Sequence, residues 1–308
     1  MFKTLPGGVY PTMITPYKDG VIDEAAVRNL VDWYADQGCS GIFAVCQSSE
    51  MVYLSLEERI FLARTVVEQS AGRMAVVASG HISDSLAEQA REINEISKTG
   101  IDAFVLVSNR LDLHNDGDDV WIQNAEKLLS MIDPNLPLGI YECPHPYKRL
   151  LTPKILDWCI ATGRFRFIKD TCCDPDMLSD RLRQLSGTGV LLYNANEQTL
   201  LHSLREGAAG YSGIMANFHP RLLNWVYDNF ETQPEKAEGI FNVLSMLAFT
   251  EAMSYPCTAK YYLDLVGVPM TVESRSRDPK QLTNYQKLVV RQMRDLHAAM
   301  EAETQKGE

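Results

Sequence analysis

Along most of the chain, apolar runs rich in Val, Ile, Phe and Tyr alternate with longer amphipathic stretches, one pair every 20–30 residues or so, roughly. Short, continuously apolar runs suit strands buried on both faces, and the stretches between them have the helical period. Strands are predicted at 8–15, 41–46, 75–79, 103–108, 137–143, 165–171, 189–194 and 210–215. Ser55-Leu56-Glu57-Glu58 and Ser85-Leu86-Ala87-Glu88 read as capping boxes, in which a hydroxyl and a carboxylate satisfy each other's orphan amides. Thr152-Pro153 puts a cap residue before a proline at the first helical position, where the missing N–H costs nothing. From about 235 to 303 helical patterns continue without a convincing strand, and no Gly/Ser/Pro-rich linker precedes them.

Eight strand–helix units followed by helices predict an α/β fold, a (β/α)₈ TIM barrel over 1–230 with a C-terminal helical extension over 231–308 packed on it. The competing doubly wound sheet wants a glycine-rich phosphate loop after the first strand, and none is there. At 308 residues the length fits a single barrel. The 45% hydrophobic and 22% charged residues are the balance of a globular protein with a sizeable core. No apolar run approaches the roughly 20 residues of a membrane span, and the start carries no apolar stretch with a small-residue cleavage site. Seven cysteines, an odd number lying mostly on predicted strands or helices, point to reduced thiols and a cytoplasmic setting. The net charge of −11 argues against a nucleic-acid partner and leaves an anionic small substrate open.

In a TIM barrel the reactive groups stand at the C-terminal ends of the strands. Lys169 ends the sixth apolar run, where burial lowers an amine's pKa and makes it a nucleophile for a carbonyl. A lysine paired with Asp170 or another carboxylate, or snorkelling at the rim, is the alternative there. Tyr141 ends the fifth run, either as a proton-relaying phenol or as an amphipathic core tyrosine. The six histidines show neither H-x-H nor H-E-x-x-H spacing, so no metal site is expected. The vicinal Cys172 and Cys173 read as small packing residues.

These residues carry a resemblance to the dihydrodipicolinate synthase / N-acetylneuraminate lyase superfamily over nearly the whole length. Thr15-Pro16-Tyr17, Asp19-Gly20 and Ile22-Asp23 are similar to its first strand and turn. Segment 41–50, Gly-Ile-Phe-Ala-Val-Cys-Gln-Ser-Ser-Glu, resembles its glycine-Thr-Thr-Gly-Glu loop, with Leu54-Ser55-Leu56-Glu57-Glu58-Arg59 behind it. Tyr141-Glu142-Cys143-Pro144 resembles Tyr-Asn-x-Pro, and Ile168-Lys169-Asp170 resembles Ile-Lys-Glu/Asp. Segment 210–217 with Pro220 is similar to the eighth-strand region, and Pro256 with Lys260 to the C-terminal helical signature.

The resemblance implies a class I lyase without cofactor, and a homo-oligomer, dimer or tetramer. Lys169 would form a Schiff base with pyruvate or another 2-oxo acid, Tyr141 would shuttle protons, and Ser48 with backbone amides would hold the substrate carboxylate. There are departures. Cys46 and Ser49 stand where the loop has glycines, and Gln47 where it has the relay threonine. The relay's second tyrosine, lent by a neighbouring subunit, should fall in 108–111, which reads Ser-Asn-Arg-Leu, and the synthase's arginine aligns with Pro146. These losses point away from dihydrodipicolinate synthesis. Arg110, His145 and Tyr147, with Asn194, Asn196, Glu197 and Gln198 in the seventh-strand loop, suit a hydroxylated 2-oxo acid of the sugar-acid type; the same loop also reads as a solvated turn with capping residues. The candidate substrate-binding set is Gln47, Ser48, Ser49, His145, Asn196, Glu197 and Ser212. Aldol cleavage and dehydration both begin from the same imine. A second reading is a barrel that keeps the lysine without turnover and binds a 2-oxo acid as a sensor or scaffold.

Overall fold

Strands β1 (Gly8–Val9), β2 (Gly41–Phe43), β3 (Ala75–Ala78), β4 (Ala103–Val107), β5 (Leu138–Tyr141), β6 (Phe165–Asp170), β7 (Leu191–Asn194) and β8 (Gly210–Tyr211) lie side by side in chain order, all parallel. β8 pairs with β1, and the last seam closes through a bridge between Thr12 and Phe43. Around that bridge the Ser40, Phe43 and Met13 amides donate to Val9, Pro11 and Phe43 carbonyls at 2.9–3.1 Å. The result, in the computed structural model, is a nearly closed eight-stranded barrel; residues 4–305 are described. Residues 1–3 and 306–308 of the predicted division into 1–230 and 231–308 lie outside them. At the β8–β1 seam Gly210 has φ +153°, and a Cβ there would lie 1.9 Å from the Gly8 carbonyl oxygen, so only glycine allows this pairing.

Helices α1 (Glu24–Asp36), α2 (Leu56–Ser70), α3 (Leu86–Ser97), α4 (Asp118–Leu129), α5 (Pro153–Thr162), α6 (Pro175–Leu185) and α7 (Leu200–Arg205) connect successive strands, and α8 (Pro220–Asn229) follows β8. A short hairpin, Tyr17–Lys18 with Val21–Ile22, precedes α1. Ser55 and Glu58 form the full capping box predicted. At Ser85 only half of it forms, because the Glu88 carboxylate turns to Arg91 at 2.9 Å. Thr152 caps α5 with Pro153 in the first turn.

Several strands are shorter than predicted. The run 8–15 yields only Gly8–Val9 and the bridge at Thr12, since Pro11 has no amide for a ladder. The run 210–215 ends at Tyr211, ahead of a 3₁₀ turn at Ile214–Asn217. Beyond the barrel come α9 (Pro234–Leu247), a 3₁₀ turn at Ala248–Ala252, α10 (Cys257–Leu265) and α11 (Asn284–Gln305). The helical pattern predicted from about 235 to 303 breaks after α9 and again over 266–283, where Gly267, Pro269 and Pro279 cannot sustain a helix.

Inside the barrel the lower layer is aromatic. Tyr10, Phe43, Phe167 and Tyr193 meet at ring distances of 4.6–6.0 Å, with Phe167 and Tyr193 stacked. Both tyrosine hydroxyls donate to the Pro6 carbonyl, so the plug buries no unpaired phenol. The plug is the floor on which the candidate site stands.

Candidate active site

Strand alternation sets the site. Lys169 sits two residues beyond Phe167 on β6, in register with Tyr141 of β5 and Tyr193 of β7. The next residues along, Glu142 and Asp170, face the opposite way and share the guanidinium of Arg181 from α6. Glu142 also accepts from the amides of Leu151 and Thr171 at 2.7 and 2.8 Å, and Asp170 from that of Cys172 at 2.8 Å. Burial and the neighbouring Asp170 push the Glu142 carboxyl up, and Arg181 opposes them. This buried triad clamps the C-terminal ends of β5 and β6 from outside. It also takes Asp170 away from Lys169, so the pairing offered as an alternative does not form.

Lys169 is 5% exposed, and its Nζ lies 4.0 Å over the Tyr141 ring. No carboxylate pairs with it among the described residues. Burial pushes its pKa down to about 8, against the opposing pull of Cys46 and Cys143. Near neutrality a usable fraction of this amine is therefore uncharged. Tyr141 donates to Gln47 Oε1 at 3.2 Å, and the Cys143 thiol donates to the same oxygen at 3.2 Å. Burial, then the adjacent thiol, pushes the Tyr141 phenol well above its ordinary value.

Both residues open into a cavity of about 590 Å³ at the C-terminal mouth of the barrel, which Gln47, Ser48, His145, Asn196 and Glu197 also line. Ser48 Oγ donates to Thr12 Oγ at 3.1 Å. His145 stands on a loop that Asn109 braces, its amide reaching the carbonyls of Cys143, His145 and Tyr147. Arg110 turns aside to Asp84, in a smaller cavity beside His145.

Two of the predicted set do not line the cavity. Ser49 is fully buried and spends its hydroxyl on its own turn, accepting from the Cys46 amide at 2.6 Å and donating to the Cys46 carbonyl at 2.7 Å. Ser212 is fully buried behind the wall with its hydroxyl unpartnered. Glu50 and Lys260, noted only for their resemblance, pair at 3.4 Å, and Glu50 accepts the Arg275 and Ser276 amides, so they tie α10 and the 274–276 loop to the loop after β2. Asn196 partly serves its own turn, accepting from the Thr199 amide at 3.0 Å and donating to Gln198 at 2.7 Å.

Glu197 is different. One oxygen is 2.8 Å from His219 Nε2, while the other is buried without a partner. From His219 the chain of contacts runs to His297 of α11 at 3.1 Å and on to the Tyr262 hydroxyl at 2.9 Å. Burial holds both imidazoles neutral, His219 down to about 3 and His297 well below its ordinary value. The same burial raises the Glu197 carboxyl well above the usual carboxylate range. Sequence reasoning missed Glu251 and Tyr255, which line the cavity from beyond the barrel. Pro256 marked the neighbourhood, but helical periodicity does not say which end of a helix meets a barrel mouth.

Among the described residues no group of three or more His, Cys, Asp or Glu side chains is gathered as for a metal, and all seven cysteines are free. Among the described residues no helix is long and apolar enough to cross a membrane.

Residues 5–292 match the family model described as the dihydrodipicolinate synthetase family. The chain is 27% identical over 215 residues to a 4-hydroxy-tetrahydrodipicolinate synthase of Jannaschia sp. (strain CCS1), covering 70% of this chain and 72% of that one. To the enzyme of that name from Bradyrhizobium diazoefficiens it is 25% identical over 277 residues, 86% of this chain and 88% of the other. Among solved structures, Ruminococcus gnavus sialic acid aldolase superposes with a TM-score of 0.86 at 16% identity, over 97% of this chain and 99% of its own. YagE, a prophage protein of E. coli K12 solved in complex with pyruvate, gives 0.83 at 20% identity, over 96% and 98%. At these identities the structural likeness is one of fold.

Proposed function

The chain belongs to the dihydrodipicolinate synthetase family, and from that premise we propose that it is a class I lyase working through a Schiff base on Lys169. The observation that carries this is the Lys169 amine, buried without a carboxylate partner and set over Tyr141 at the cavity floor. In its neutral form the amine attacks the C2 carbonyl of a 2-oxo acid. Tyr141 relays the adduct's N–H proton to the carbinolamine oxygen, a second proton from solvent lets that oxygen leave as water, and the iminium draws electrons from the bond beyond C3. Backbone amides beside Ser48, with its hydroxyl once turned from Thr12, suit the substrate carboxylate, and Glu197, with one buried oxygen unpartnered, suits a hydroxyl further along. The preferred substrate is a hydroxylated 2-oxo acid of the sugar-acid type, whose iminium can go on to carbon–carbon cleavage or to dehydration. Gln47 in the relay position favours one alternative, a barrel that binds a 2-oxo acid without turnover.

Incubation with pyruvate and borohydride should add irreversible mass to Lys169 in a tryptic map. Label on another lysine, or none across a panel of 2-oxo acids, would overturn the assignment. Turnover with that panel separates the lyase from the inert binder.

A further inference from the structure

Cleavage through an imine leaves a proton to be stored. As the C3–C4 bond breaks, the C4 hydroxyl loses a proton, and a proton must later return to C3 of the enamine. Carbinolamine formation has no such need, since one hydroxyl lends and recovers the same proton. Tyr141 suits that closed exchange. It does not suit storage, because its hydroxyl donates to Gln47 Oε1, which also receives the Cys143 thiol. An amide oxygen takes up no proton near neutrality, so the path ends there.

Glu251 brings a carboxylate to the same cavity from the turn Ala248–Ala252. It has no hydrogen-bond partner among the described residues. The charges that act on it are those of Glu197 and Lys169 across the cavity, and its own acts on Tyr211, Tyr255 and Cys173. Burial and Glu197 raise its pKa, while Lys169 opposes them. An unpaired carboxylate, in part exposed to solvent, therefore stands in the cavity that holds the lysine.

We propose that Glu251 is the base that accepts the C4 hydroxyl proton during cleavage and the acid that returns a proton to C3. The proposal rests on the Lys169 reading. In the first step the carboxylate takes the hydroxyl proton, the O–H pair becomes the carbonyl of the departing aldehyde, and the C3–C4 pair neutralises the iminium as an enamine. In the second step the Glu251 carboxyl gives its proton to C3, the enamine pair forms the C–H bond, and the iminium and carboxylate are restored for hydrolysis. With pyruvate alone the second step runs backwards. The Glu251 carboxylate then removes a methyl proton from the pyruvate iminium.

The test is hydrogen exchange at the pyruvate methyl group in D₂O, followed by NMR, beside borohydride trapping on the same full-length protein. Wild type should trap and exchange, with exchange rising as the Glu251 carboxyl ionises. Glu251→Gln should trap pyruvate on Lys169 to the wild-type extent, while exchange per trapped imine falls by about 10²–10⁴-fold and loses the acid limb that wild type keeps after the same normalisation. Glu251→Asp should retain part of the rate and the limb. Wild-type exchange with an unchanged profile in Glu251→Gln would overturn the proposal. So would loss of trapping in that variant, which would put Glu251 in imine formation. Failure of wild type itself to trap on Lys169 would instead sink the lysine reading, and this one with it.

Discussion

Lys169 and Asp170 are neighbours in sequence and face opposite surroundings, one the cavity and the other the Arg181 clamp. Because the amine's pKa is pushed down to about 8, borohydride trapping should accelerate with pH up to about 8 and level off above it. Below that pH the uncharged, attacking fraction of the amine falls about tenfold per pH unit. A profile flat from pH 6 to 9, measured by mass spectrometry on initial rates, would contradict the lowered value. Tyr141→Phe removes one hydroxyl and leaves the ring under Lys169, so kcat should fall by about 10²–10⁴-fold with much less effect on substrate binding. Retained kcat, with chemistry shown to be rate-limiting, would make Tyr141 a packing residue. The meeting of these two side chains at one cavity was legible in the sequence because each ends an apolar run inside a spaced motif. Glu251 and Tyr255 were not: the turn that carries Glu251 has no motif, Pro256 marked only the neighbourhood of Tyr255, and the meeting of this segment with the barrel is long-range.

At the scale of elements, β5, β6 and α6 are joined by Glu142, Asp170 and Arg181, all nearly inaccessible to water. Removing the cation leaves two carboxylates buried together without compensation. Arg181→Met should therefore destabilise the fold by about 3–5 kcal/mol, read from urea denaturation followed by circular dichroism. A midpoint equal to wild type would show that the triad contributes no net stability. The apolar pattern placed every barrel strand, yet it overran the ends at 8–15 and 210–215. The cause is physical. Residues at a strand's C-terminal end stay apolar or polar according to the cavity wall they build, so the pattern runs on after the ladder stops. The Glu142–Asp170–Arg181 clamp was invisible for another reason, since its members come from three separate units and nothing local links them.

For the molecule as a whole, membership of the family leaves the partner substrate open, and the loss of the arginine and second tyrosine motivates a negative expectation. Condensation of pyruvate with aspartate semialdehyde should be negligible; a kcat/KM of about 10⁴ M⁻¹s⁻¹ or more in a coupled assay would contradict it. The dimer or tetramer expected from the resemblance is checked by light scattering. The buried amine has a further consequence, for folding. Holding its pKa at about 8 instead of 10.5 destabilises the native state by about 3 kcal/mol at neutral pH, because the unfolded chain keeps its proton more readily. Between about pH 8 and 10.5 the unfolded chain binds the extra proton, so native stability rises with pH and the penalty fades. Lys169→Met, similar in length and without charge, should melt at a higher temperature than wild type at pH 7, and the gap should narrow toward pH 10. The reactive amine would then be a standing thermodynamic load, one that an inactive descendant of this barrel would be free to shed.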